Sequence, residues 1–135
     1  MPVTTLNPPG VAEPQGFMHV AVTEGSRTIY LAGQVSRDEN GELVGAGDLA
    51  AQAEQALMNV HACLEAAGAT FADVAKTTMY VVDWDESKLE QIFAGAVKVA
   101  ERVGSVPVVP VTLIPVPKLV EDGLLIEIDS TAVLA

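Results

Sequence analysis

Three kinds of residue are scarce in this 135-residue sequence: cysteine, aromatic residues and positively charged residues. Cys63 is the single cysteine, so an intrachain disulfide and a cysteine-rich metal site are both excluded. Aromatic residues make up 4% of the chain, so a core has to be built mainly from Val, Leu, Ile and Ala. Seven Lys and Arg stand against 18 Asp and Glu, giving a formal net charge of −11. Nucleic acids and anionic membranes are therefore disfavoured as partners, because binding them requires clustered positive charge.

Long apolar runs are absent as well. No segment approaches the ~20 apolar residues that a membrane span needs, and residues 1–5 lack the basic and apolar stretches of a signal peptide. We therefore expect a cytoplasmic protein. Half of the residues are hydrophobic and 19% are charged, which indicates an ordered chain. Its length and the lack of any linker predict a single domain over residues 1–135.

The first part of the chain is predicted to contain two strands. Residues 1–16 are rich in proline and are expected to form an extended lead-in. Short apolar runs at 17–23 and 28–32 flank the turn sequence Glu24-Gly25-Ser26, which predicts a β-hairpin. A polar, glycine-containing loop follows over 38–47.

Two amphipathic helices are predicted from apolar residues at three- and four-residue spacing. The first has Asp48 as its N-cap and ends before Gly68. The second is capped by Asp85 or Ser87 and ends at Gly104. With the strands described next, the element order is β-β-α-β-α-β-β.

Three further strands are predicted over 73–83, 106–116 and 124–133. The last two are apolar at both alternating positions, which is typical of strands covered on both faces. Two helices can cover only one face, so we expect neighbouring subunits to cover the other. Some residues of strand 106–116 cannot donate ladder hydrogen bonds, which places part of it at a sheet edge, where a pocket is expected. These residues are Pro107, Pro110 and Pro115.

Four stretches resemble the RidA (YjgF) family: YLAGQ at 30–34, AQAEQALMNV at 51–60, DVAKTTMYVVD at 73–83 and LIEIDSTA at 125–132. The resemblance covers nearly the whole chain. It implies an α+β, chorismate-mutase-like fold, in which one mixed sheet carries two helices on one face. It also implies a homotrimer whose sheets form a central barrel, with clefts between the subunits.

The resemblance implies a deaminase site, but this chain departs from it. Deaminases of the family hydrolyse imines and enamines such as 2-aminoacrylate, and an arginine binds the substrate carboxylate. That arginine follows a Pro-x pair, and the matching residue here is Val109. Each charge-assisted hydrogen bond is worth roughly 1.5–3 kcal/mol, so carboxylate recognition is expected to fall by about 100-fold. The family's tyrosine matches Phe17 and its cysteine matches Val111, which makes the cleft more apolar, and the loop over 115–123 is longer.

Two positions keep the family's pattern. Glu127 matches the glutamate that orients the attacking water, and Gly33 matches the cleft wall. A carboxylate between Ile126 and Ile128 is costly unless it is paired or near solvent. The alternative is that Glu127 is a structural or outward-facing residue of its strand. Phe17, Val109 and Val111 are expected to line the pocket rather than to perform chemistry.

Other chemistry-bearing residues carry weaker signals. Arg37 and Lys118 could replace the missing cation, although solvated surface residues are the simpler interpretation. His19 and His61 have no spacing that joins them to a carboxylate or thiol, so neither a metal nor another cofactor is expected. Cys63, within the first helix, is expected to be a small buried hydrophobic residue.

Three functional hypotheses remain open from the sequence. The first is a family member without the deaminase reaction, which binds or hydrolyses a small neutral or apolar metabolite in clefts between subunits. Water held by Glu127 would carry any hydrolysis. The second is an imine or enamine deaminase that uses another cation. The third is a non-enzymatic interaction or chaperone-like protein.

Overall fold

The computed structural model describes residues 2–135 as two α-helices and a set of short and long β-strands. The elements are β1 (Val3–Leu6), β2 (Val20–Thr23), β3 (Arg27–Tyr30), β4 (Gln34–Val35), α1 (Leu49–Ala66), β5 (Val74–Val82), α2 (Leu89–Val103), β6 (Val111–Val116) and β7 (Ile126–Leu134). Short 3-10 turns precede β5 and α2. None of the helices in this part of the chain has the length and hydrophobicity that crossing a membrane would require.

One mixed sheet contains the strands that carry most of the core. Its order is β3-β7-β5-β6, and β4 pairs with β7 beside β3. β5 and β6 run parallel, whereas β7 runs antiparallel to β3, β4 and β5. The predicted α+β architecture is confirmed. β6 lies at the sheet edge and contains Pro115, opposite Val81, as its missing N–H groups predict.

Alternation along the central strands separates the two faces of the sheet. Ile126 and Ile128 of β7 are almost completely buried, and they pair with Val81 and Met79 of β5. These side chains point toward the helices and join the core cluster. Glu127 lies between them, and its side chain therefore points to the opposite face. We call this opposite face, which the helices do not cover, the open face.

α1 forms where the sequence predicts it. The Asp48 side chain accepts a hydrogen bond from the Ala51 N–H at 3.1 Å, and Gly68, with φ at +79°, follows the end of the helix. Burying its apolar side chains stabilises the fold by roughly 1.5–3 kcal/mol for each large one. The buried apolar positions are Leu49, Ala53, Ala56, Leu57, Val60 and Leu64.

α2 packs closely against α1. A Cβ at Gly95 would lie 2.6 Å from the Ala50 carbonyl oxygen, so glycine permits the short separation of the two helices. The helix ends at Gly104, which adopts φ of 96° and donates its N–H to the Ala100 carbonyl at 2.8 Å. At its start, Asp85 caps the preceding turn through the N–H of Ser87.

The predicted hairpin is wrong in its pairing. β2 and β3 flank the expected turn, but β2 pairs with β1, and β3 pairs with β7. The backbone at Gly25 approaches Leu134 so closely that no side chain would fit there, and the turn therefore carries the chain from one sheet to the other. The lead-in, expected to be merely extended, contains β1.

Two strand starts are predicted three or more residues too early. β2 begins at Val20 rather than at residue 17, and β6 begins at Val111 rather than at residue 106. Pro107 and Pro110 lack the N–H groups that a regular ladder needs. Just before β6, two carbonyl groups accept backbone hydrogen bonds from other parts of the chain. The Val109 carbonyl accepts from the Met18 N–H and the Pro110 carbonyl accepts from the Thr77 N–H, both at 3.0 Å.

Candidate functional site

Glu127 and Gly33 meet on the open face. A Cβ at position 33 would overlap the Glu127 carboxylate, so the carboxylate lies directly against the Gly33 backbone. The pairing of the strands explains this contact, because Glu127 stands opposite Val35 of β4 and Gly33 immediately precedes that strand. Two residues distant in sequence are thereby held together.

The Glu127 carboxylate has no charged partner in the described chain. None of the ion pairs found in residues 2–135 includes it. The residue is partly exposed, and its oxygens are not among the buried polar atoms that lack a hydrogen bond. A partly desolvated carboxylate that still reaches solvent can accept hydrogen bonds from a water molecule or a ligand.

A row of side chains crosses the open face at Glu127. Tyr80 of β5 stands directly opposite Glu127, and Ile114 of β6 stands opposite Tyr80. In the neighbouring row, Asp129 stands opposite Thr78. Tyr80 carries no sequence signal of a site residue, although its alternation with Met79 and Val81 along β5 places it on this face. It brings a phenol hydroxyl to the side of the strand where the Glu127 carboxylate lies.

Phe17 and Val111 lie on the other side of the sheet. Both line a hollow of about 590 Å³ between α2 and the β6 edge. Val111 pairs with Thr77, whose alternation places it on the helix side. We call this space the α2 hollow.

Val109 belongs to the hydrophobic core, with 4% of its surface exposed. Its carbonyl holds the backbone of Met18 next to Phe17. Within one chain, the predicted site residues therefore separate into Glu127 with Gly33 on the open face and Phe17 with Val111 at the α2 hollow. Val109 lies in the core beside the second group.

Arg37 lies near Gly33. Both line a second hollow, of about 450 Å³, which we call the Gly33 hollow. The Arg37 guanidinium donates to the Glu121 carboxylate and to the Gly41 carbonyl. Its backbone carbonyl accepts from Asn59 at 2.9 Å, so α1 fixes its position. The cation is therefore close to the candidate site but engaged elsewhere.

Two other cations, Lys118 and Lys76, are less well placed. Lys118 is exposed and pairs with Asp122 at 2.9 Å, as expected of a surface residue. Lys76, which the sequence analysis did not consider, points to the open face and donates to Thr112 at 2.6 Å. It lies four residues before Tyr80 on β5, a distance of roughly 13 Å along a strand.

The histidines and the cysteine form no shared site. His19 contacts the Ala12 carbonyl, and His61 pairs with Glu65 at 3.2 Å. Cys63 is partly exposed and lines the Gly33 hollow, so the expected full burial is wrong. In the part of the chain that the structure describes, no group of three or more His, Cys, Asp or Glu side chains could hold a metal ion.

Comparison with known proteins identifies the group to which this fold belongs. A family model described as Endoribonuclease L-PSP matches residues 12–134. The chain belongs to the RidA (YjgF) family. A Yersinia pestis structure described as the conserved Rid-family protein YyfB, of unknown function, shares 40% identity at a TM-score of 0.88, with 99% of this chain and 100% of that chain covered. The Escherichia coli YjgF gene product shares 29% identity at a TM-score of 0.68, covering 84% and 85%.

Two curated relatives have names that state an activity. The human 2-iminobutanoate/2-iminopropanoate deaminase is 35% identical over 81 residues, which span 60% of this RidA-family chain and only 56% of the human protein. The Acinetobacter baylyi 3-aminoacrylate deaminase RutC is 30% identical over 95 residues, covering 70% of this chain and 75% of that protein. Both names describe deamination of small imine or enamine acids.

Proposed function

We propose that this RidA-family chain is a cytoplasmic homotrimer that binds or hydrolyses a small neutral metabolite, and that it lacks the usual imino-acid deaminase activity. The single observation that carries the proposal is the Glu127 carboxylate, which lies against Gly33 and is free of charged partners in residues 2–135. Such a carboxylate can orient a water molecule for attack on a bound ligand.

The proposed site combines two copies of the chain. Glu127 and Gly33 lie on the open face, whereas Phe17 and Val111 lie on the helix side. One chain therefore cannot bring the two groups to the same ligand. A neighbouring copy whose β6 edge approaches the open face would place Phe17 and Val111 opposite Glu127, with Val109 in the core behind them. Size-exclusion chromatography with light scattering should give a mass three times that of one chain.

The chemistry proposed for Glu127 is general-base hydrolysis. The carboxylate accepts a proton from water as the oxygen attacks an electrophilic carbon. For an imine, that proton is delivered to nitrogen and a carbinolamine forms. The carbinolamine hydroxyl proton then passes to nitrogen, the C–N bond breaks, the carbonyl forms and ammonia leaves. A substrate carboxylate would gain no positively charged partner from Val109, and the loss of paired charge-assisted hydrogen bonds is worth about 100-fold or more in recognition.

Ammonia release from 2-iminopropanoate generated in situ tests the proposal. We expect the wild-type chain to stay near the uncatalysed rate. Val109→Arg should gain activity, because the long side chain can extend from the core position and place its guanidinium in the cleft. Val120→Arg is the control, because Val120 is 79% exposed, is not among the residues that line the two hollows and receives the same charge. Circular dichroism should show that both variants fold. A wild-type rate comparable to that of a family deaminase would contradict the proposal.

A second candidate function is deamination with Arg37 as the carboxylate anchor. One observation favours it, because Arg37 and Gly33 line the same hollow. Glu121 then competes with the substrate for the guanidinium. This candidate predicts deaminase activity in the wild-type chain that Arg37→Met abolishes and Glu121→Gln increases. Arg27→Met is the control, since Arg27 is an exposed residue of β3.

A further inference from the structure

The α2 hollow is the larger of the two hollows described above. Its volume of about 590 Å³ lies within the range of roughly 300–1,000 Å³ that is typical of small-molecule sites. Residues of α2 form one wall of this space, and residues of β5, β6 and the segment before β6 form the other. The space is partly open to solvent, so a ligand can enter it without unfolding of the chain.

The lining of the α2 hollow is apolar and uncharged. The chain carries a net charge of −11, yet among residues 2–135 no Asp, Glu, Lys or Arg lines this space. A charged ligand would lose its hydration there without gaining a partner. The Thr77 hydroxyl already shares a hydrogen bond with the Ser130 hydroxyl at 3.0 Å. The other polar side chain of the lining, the Gln15 amide, can therefore bond to a ligand.

The opening of the hollow exposes hydrophobic surface. Phe93 and Val97 of α2 are 41% and 56% exposed, and Val108 on the facing segment is 52% exposed. Scattered exposed apolar residues are ordinary, but these line one concavity. A ligand inserted between α2 and the sheet would cover them, whereas a flat protein surface would leave the interior of the hollow unfilled.

We propose that the α2 hollow binds the apolar part of a neutral ligand, a group of about the size of two fused aromatic rings. The inference rests on the proposed function in one respect, since Phe17 and Val111 belong to both sites. It adds the chemical class of the ligand: uncharged, with a bulky hydrocarbon group, and thus unlike the short imino acids in the names of the curated relatives.

A pair of probes with the same shape and different charge tests this assignment on the full chain. 1-Naphthamide is neutral and 1-naphthoate carries a carboxylate. We expect 1-naphthamide to shift the methyl NMR signals of Met79, Val97 and Val111 in a saturable manner. 1-Naphthoate should bind at least roughly tenfold more weakly, because its charge finds no partner in the hollow. Equal affinity of the two probes, or shifts confined to the open face, would overturn the proposal.

Two alanines of α2 provide matched variants. Ala96 lines the hollow and Ala94 is exposed on the same helix. Ala96→Phe should fill part of the space and weaken 1-naphthamide binding by at least roughly tenfold, whereas Ala94→Phe should leave it unchanged. Unaltered binding by Ala96→Phe would refute the site. If 1-naphthamide does not bind and Ala96→Phe dissociates an oligomer, a second copy occupies the hollow and the proposal is wrong.

Probe binding and hydrolysis, measured separately on the full chain, separate this inference from the proposed function. Glu127→Gln should abolish hydrolysis whether or not the α2 hollow binds 1-naphthamide. If the probe binds and the wild-type chain also deaminates 2-iminopropanoate as fast as a family deaminase, the proposed function alone is wrong. If the chain hydrolyses a neutral substrate in a Glu127-dependent manner but does not bind the probe, only the ligand class proposed for the α2 hollow is wrong.

Discussion

The carboxylate of Glu127 rests against the backbone of Gly33, where even a methyl group would overlap it. The three atoms nearest to such a methyl group all belong to the Glu127 side chain. The contact therefore fixes the position of the carboxylate through the absence of a side chain at position 33. Stability and ligand binding should both respond when this relationship is changed.

Gly33→Ala should destabilise the fold by roughly 0.5–1.5 kcal/mol, because the added methyl group forces the partly exposed Glu127 side chain out of its present rotamer. In the Glu127→Ala background the same substitution should cost much less, since the overlapping atoms are gone. Urea denaturation of the two single variants and the double variant measures this coupling. Additive effects would show that the two residues are not in contact.

Gln52 should be among the costliest polar side chains to remove. It is fully buried, its amide donates to the carbonyls of Gly45 and Gly123, and its oxygen accepts from the Leu125 N–H. Gln52→Leu leaves these backbone groups unpaired, at about 1–3 kcal/mol for each one that stays buried. Chemical denaturation should show a total loss of several kcal/mol. Gln91→Leu, at an exposed site on α2, is the control and should change stability little.

Gly95→Ala should destabilise the chain although alanine is the better helix former. Helix propensity alone predicts a gain of about 1 kcal/mol. The new methyl group, however, would lie 2.6 Å from the Ala50 carbonyl oxygen and 2.9 Å from the Ala53 Cβ. We expect the overpacking cost of about 1–3 kcal/mol to dominate. A higher melting temperature would mean that the helices separate easily.

The cap before α2 should give a pH-dependent contribution to stability. Hydrogen bonds from Ser87 hold the pKa of Asp85 below its ordinary value, and the Lys88 charge acts in the same direction. Because the folded pKa is lowered, the stabilisation is present above the unfolded pKa of about 3.9 and is lost as pH falls through the folded pKa. Asp85→Ala should therefore be less stable than the wild type at about pH 7, and the difference should shrink at about pH 3. Asp85→Asn keeps a capping oxygen and should remove the pH dependence.

Local sequence patterns predicted the two helices, but they did not predict which strands pair with each other. Asp48, Gly68 and Gly104 mark the ends of α1 and α2 because capping depends on neighbouring residues. The turn at Glu24-Gly25-Ser26 indicated a hairpin, yet β3 pairs with β7, since a turn signal specifies a reversal of the chain but not its partner strand. Prolines correctly predicted that β6 lies at an edge.

The candidate site could be predicted only in part. The alternation along β7 predicts that Glu127 faces away from Ile126 and Ile128, but no spacing relates it to Gly33, which approaches through the pairing of β4. Family resemblance placed Val109 in the cleft, whereas the side chain is buried in the core of one chain. Tyr80 could not be recognised as a site residue from the sequence, because aromatic residues are common in β-strands.

The segment between β6 and β7 is fastened at two separate points. Gln52 holds its end at Gly123 and Leu125, while Glu121 reaches across to Arg37 at the rim of the Gly33 hollow. The segment reads in the sequence as an enlarged surface loop. In the structure it connects α1 to the 37–43 turn through these contacts. Shortening it would reshape the hollow beside Gly33 without altering any residue that lines it.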